Sequence, residues 1–99
     1  MIIVTGEIRL APGALEAARA AALTMVTATR AEAGCLTYGF YEDIGAPGTF
    51  RVYEEWTDMA ALQAHFGTPH MAAFRGVLAG LEILGQEIKV IEGGTARPL

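Results

Sequence analysis

The sequence contains no serine, a single cysteine and few charges, and each shortage closes off a class of function. Without serine there is no Ser-His-Asp triad. With Cys35 alone there is no intramolecular disulfide and no cysteine cage for a metal. Charged residues make up 18% of the 99, below the roughly one quarter usual in soluble domains. The formal net charge is -4, and Lys and Arg never run together. That leaves no electrostatic footprint for nucleic acid and no polybasic patch for a membrane surface. No apolar stretch has the length of a membrane span, because the Ala-rich region is interrupted by Glu16, Arg19, Thr24 and Arg30. The opening Met1–Thr5 lacks the basic start of a signal peptide, which makes the cytoplasm the expected location.

What is abundant is apolar surface: hydrophobic residues are 53% of the chain. The length suits one small domain, expected over residues 1–92, with 93–99 as a C-terminal tail. Residues 2–10 are rich in β-branched side chains and read as a strand, closed by Pro12-Gly13. A helix is expected from Ala14 to about Ala33, with Leu15, Ala18, Ala22, Val26 and Ala33 on one stripe and Gly34 at its stop. Cys35–Asp43 and Thr49–Trp56 flank Gly45-Ala46-Pro47-Gly48 and predict an antiparallel hairpin, with Leu36, Tyr38 and Phe40 on one face. Asp58 caps a short helix over 59–66. Thr68-Pro69 opens another to about Leu78 or Ala79, and Ile83–Ile91 supplies the last strand. The order β-α-β-β-α-β, with its second helix split, is an α+β ferredoxin-like arrangement with a four-stranded antiparallel sheet. Ile3, Tyr41 and Tyr53 oppose the apolar residues of the other face, so both faces of the sheet read as apolar. A face-to-face homodimer is therefore expected.

Chemistry concentrates after the hairpin. Strand alternation puts Glu54 and Trp56 on one face, with Trp56 as a core anchor whose indole N–H needs an acceptor. His65 and His70, the only histidines, flank the helix break. His70 follows Pro69 in a first helical turn, where the helix dipole disfavours the imidazolium and leaves a ring able to take a proton. His65 is expected to meet Glu54, and Phe66, Met71 and Phe74 form an apolar wall beside both rings. The bland alternative for each histidine is a structural hydrogen bond. His-x4-His across a proline-opened break offers no shared helix face and no obvious third ligand, so no metal is expected. There is no glycine-rich phosphate loop after a strand. Cys35 reads as a buried residue at a strand start, and Glu16 with Arg19 as an exposed pair.

The spacing Glu54-x-Trp56, Leu62, His65, Thr68-Pro69-His70 resembles the antibiotic biosynthesis monooxygenase (ABM) family, and within it the YgiN-like quinol monooxygenase branch. Glu7-Ile8-Arg9 before Pro12-Gly13, and Gly34-Cys35-Leu36-x-Tyr38, agree over residues 2–92. The resemblance implies a dimeric α+β barrel with a pocket between sheet and helices. It also implies oxygenation of a quinol or other phenolic or polycyclic aromatic by O2, with no metal, flavin or other cofactor. His65 falls at the family's pocket position and is the first candidate base, with His70 second and Glu54 as a partner. Trp56, Tyr38, Phe40, Phe66, Met71, Phe74 and Arg75 are the expected pocket residues. Relatives that degrade haem use an asparagine, a tryptophan and a histidine where this chain has Gly6, His65 and Arg75, which disfavours haem. A non-catalytic binder of a small hydrophobic molecule, and an isomerase or epimerase using His65, remain the alternative functions.

Overall fold

Alternation along the first strand decides the layering. In the computed structural model, which describes Met1–Leu99, strand β1 spans Ile2–Leu10 and buries Ile2, Val4, Ile8 and Leu10 on one side. Helix α1 (Leu15–Thr29), strands β2 (Cys35–Glu42) and β3 (Thr49–Trp56), helices α2 (Met59–Phe66) and α3 (Pro69–Ala79), and strand β4 (Ile83–Glu92) follow. The sheet is antiparallel in the order β2-β3-β1-β4, a ferredoxin-like fold with its helices on one face. No helix is long and apolar enough to cross a membrane.

The punctuation reads through to geometry. The Asp58 side chain accepts from Ala61 N at 2.8 Å, and the Thr68 hydroxyl accepts from Met71 N at 3.3 Å, so each half of the split helix has its own N-cap. Helix α1 ends four residues earlier than expected. The chain then turns through Ala31–Ala33 to Gly34, which takes φ 82°, a backbone conformation open to glycine. That shortening places Glu32 in a turn instead of on a helix.

Under the helices Ile2, Val4, Met25, Tyr38, Val52, Trp56 and Leu62 form one core cluster, and Ile8, Leu10, Ala14 and Ala18 a second. Trp56 is fully buried, and sealing a side chain of this size stabilises by about 1.5–3 kcal/mol. Leu36 does not join its expected partners: the β2–β3 register shifts between Cys35 and Thr37, and Leu36 is turned out to solvent.

The open face of the sheet corrects the expectation of a second apolar surface. Ile3, Tyr53, Tyr41 and Ile91 do face that way, but period-two alternation brings Thr5, Glu7, Arg51, Glu55 and Lys89 with them. All of these polar groups but Lys89 have partners. Arg51 meets Glu7 at 3.1 Å and Thr5 at 3.2 Å, while Glu55 accepts from Thr37 and Tyr53. Arg19 likewise pairs with Glu42 at 3.0 Å and not with Glu16, because β2 packs alongside α1.

Strand β4 lies so close to β1 that a methyl group on Gly6 would overlap the Glu87 carbonyl and the Ile88 Cα. Gly6→Ala should therefore lower the unfolding free energy by about 1–3 kcal/mol, the usual cost of overpacking. Urea denaturation measures it, and an unchanged midpoint would contradict the close approach.

Candidate active site

Three segments distant in sequence converge at one end of the helical layer. Helix α2 ends with His65, α3 begins with His70, and the turn after α1 carries Glu32. One oxygen of Glu32, Oε2, lies 2.6 Å from His65 Nδ1 and 2.7 Å from His70 Nε2. A carboxylate oxygen accepts, so the hydrogen-bond pattern assigns N–H to both of those ring nitrogens. It leaves Nε2 of His65 and Nδ1 of His70 as the basic positions. His65 is 1% exposed, whereas the His70 side chain is 22% exposed and the Glu32 side chain 14%.

The expected His65–Glu54 contact is not made. Glu54 accepts instead from the Trp56 indole at 2.9 Å, since both side chains stand on the same face of β3 two residues apart. The imidazole of His65 packs on Trp56 with centroids 4.8 Å apart and on Tyr38 at 5.7 Å. Burial pushes the Glu54 carboxyl up to about 7; the nearby Glu32 adds to this, and the Trp56 N–H opposes it. Burial, together with Glu54 and Glu32, also raises the Tyr38 phenol, and burial with Glu32 and Glu54 raises the Cys35 thiol. Cys35 is consequently held as a thiol and is a poor nucleophile.

Glu32, His65 and His70 each turn one ligand atom to a common point, all within 4.8 Å of one another, which is the third ligand missing from the sequence reading. Donor atoms sharing one zinc ion at about 2.0–2.2 Å stand about 3 Å or more apart. Here the separations from Oε2 are 2.6 and 2.7 Å, the lengths of charge-assisted hydrogen bonds. As placed, the trio is joined by two hydrogen bonds through one Glu32 oxygen.

Beside it lies a cavity of about 280 Å³ between α1, α3 and the helix-facing side of the sheet. Its walls are mostly apolar, including Ile8, Val26, Phe40, Phe50, Phe74 and Leu78, with Arg19 and Arg30 as the charged members. Of the expected pocket residues, Phe40 and Phe74 line it, with ring centroids 5.7 Å apart. Tyr38 and Trp56 are sealed in the core next to His65, and Met71 packs against that core. Phe66 is exposed, and Arg75 donates to the Phe66 carbonyl at 3.2 Å on the outside. None of Glu32, Glu54, His65 and His70 lines the cavity. Tyr38 and Phe40, 5.8 Å apart, stand between His65 and its wall.

Residues 1–77 match the family described as antibiotic biosynthesis monooxygenase. The "Uncharacterized protein sll1783" of Synechocystis sp. is 36% identical over 90% of this chain, and the chain spans 60% of that protein's length. The "Probable quinol monooxygenase YgiN" of Escherichia coli is 31% identical, with 95% of this chain and 99% of that protein covered. A crystal structure of a "putative antibiotic biosynthesis monooxygenase" from Deinococcus radiodurans superposes with a TM-score of 0.92 at 28% identity, covering 100% of this chain and 98% of that one.

The raised Glu54 carboxyl has a consequence for stability. Between the ordinary carboxylate pKa, about 4.3, and about 7, the folded protein holds a proton that the unfolded chain has released, so raising the pH across that window destabilises the fold. The loss should approach about 4 kcal/mol and level off above neutrality. Glu54→Gln keeps an acceptor for Trp56 and should abolish this component. Thermal melts of both proteins between about pH 5 and pH 8 test it, and parallel profiles would contradict a buried, raised Glu54.

Proposed function

The chain belongs to the antibiotic biosynthesis monooxygenase family, and on that premise we propose that it is an oxidoreductase using O2 on a quinol or related phenolic aromatic. The cavity is the observation that carries this reading. At about 280 Å³ it sits at the small end of ligand pockets, which run about 300–1,000 Å³, and so suits a quinol better than a large polycyclic substrate. A quinol, once deprotonated, supplies the electrons itself. One oxygen atom enters the ring to give a hydroxyquinone and the other leaves as water, so the reaction calls for no external reductant and no prosthetic group. What remains for the protein is to exclude water, accept a proton and stabilise an anion.

In this reading His70, the more exposed histidine, accepts the proton beyond the Tyr38–Phe40 partition, since no histidine lines the cavity, and His65 holds Glu32 in place. His70→Phe should lower turnover by up to about 10²-fold, and should cost less stability than His65→Phe because its ring is the more exposed of the two donors to Glu32. His65→Phe should instead cost about 1–3 kcal/mol, because Glu32 loses a buried donor. Oxygen uptake over a panel of hydroquinones and anthrones, with melting curves on both variants, checks the pair. Wild-type turnover from His70→Phe would remove it from the mechanism.

The two-histidine carboxylate group also favours a second reading, an isomerase or epimerase that moves protons without oxygen. Product formed anaerobically would select it. Binding without turnover would leave a non-catalytic carrier of small hydrophobic molecules.

A homodimer joined through the open sheet face is part of the proposal. Its support is the partly apolar character of that face, where Tyr41 and Ile91 are exposed among the charges. Sedimentation at micromolar concentration should give twice the chain mass. A stable monomer would overturn it.

A further inference from the structure

The cavity is apolar but not neutral. Its lining includes two arginines, both solvent-exposed, and no acidic residue, and the two are differently placed. Arg19 is engaged by both carboxylate oxygens of Glu42 through Nη2, at 3.0 and 3.3 Å, and it leans over the Phe50 ring. Arg30, at the C-terminal cap of α1, uses only its Nε, which donates to the Tyr38 carbonyl at 2.9 Å. That bond fixes the plane of the fork, and its two terminal nitrogens have no hydrogen bond or ion pair in the chain.

A solvent-exposed guanidinium fixed through its Nε beside an apolar cavity, with no protein partner for its terminal donors, matches an oxygen anion on a flat aromatic body. We propose that Arg30 is the anion-binding residue of the cavity, and that the molecule bound there is an aromatic carrying its negative charge on oxygen, a phenolate. The inference rests on the cavity being the substrate site but not on either histidine. It bears on a gap in the geometry: no base lines the cavity, so ionisation of the substrate is favoured there by a fixed positive charge. Arg19, neutralised by Glu42, contributes little to that field.

4-Nitrophenol is a suitable probe, because its ionised form is coloured and reports its own protonation. Bound to the protein in excess, it should reach half-ionisation about one pH unit below the free phenol, equivalent to about tenfold tighter binding of the anion. Arg30→Gln, which keeps a donor for the Tyr38 carbonyl, should abolish the shift. Arg30→Lys should retain part of it, and Arg19→Gln most of it. A shift that survives Arg30→Gln, or an unshifted probe in the wild-type protein, overturns the role of Arg30 while the monooxygenase reading stands on its oxygen-uptake assay. Failure of the probe and of a panel of quinols to bind at all would overturn both, since the cavity would then hold no aromatic.

Discussion

One oxygen atom of Glu32 shared between two imidazoles organises the end of the helical layer. The three side chains come from the turn after α1, the end of α2 and the start of α3, so the bond set ties those three elements together. A partly buried carboxylate left without donors is costly, on the order of 1–3 kcal/mol or more. That cost is the reason the turn, the helix break and both rings have to adopt one mutual arrangement. The break itself follows, because His65 and His70 meet a common oxygen only if the chain changes direction between them, which Gly67-Thr68-Pro69 accomplishes.

The one-sided layering has a second effect. Helices cover a single face of the sheet, so the carboxylate of Glu54 is trapped under them beside Trp56, while Glu55, one residue later, stays on the open face and bonds Thr37 and Tyr53. Adjacent glutamates thus have unlike chemistry. The buried one is pushed towards neutrality by desolvation; the other is part-buried on the open face and hydrogen-bonded to Thr37 and Tyr53. Electrostatic differentiation of this kind is produced by the sheet's period of two and by nothing in the residues themselves.

A division of labour along the helix-facing side is also visible. The end at Trp56 gathers titratable groups, Glu32, Tyr38, Glu54, His65 and His70 among them. The part lined by Ile8, Phe50 and Leu78 is an apolar cavity whose charge is positive. Tyr38 and Phe40, alternate residues of β2, form the partition between them. Proton chemistry and apolar binding therefore occupy neighbouring but distinct volumes, which is the feature any mechanism for this chain has to accommodate.

Element order, both helix caps, the split of the second helix and the burial of Trp56 were decided by the sequence itself, because each depends on neighbours a few residues away: Asp58 on Ala61, Thr68 on Met71, strand alternation on its own period. The two histidines were legible for the same reason, since they stand at the ends of recognisable helices. Glu32 was not, being 33 residues from His65 and 38 from His70, in a segment whose pattern continued the preceding helix. The exchange of partners between Glu54 and Glu32, the pairing of Arg19 with Glu42, and the placement of Arg30 on the cavity wall are likewise long-range outcomes. They are settled by which elements pack together and at what register, and a one-residue difference in a turn or a bulge is enough to redirect a side chain. Local chemistry wrote the elements; only their docking chose the partners.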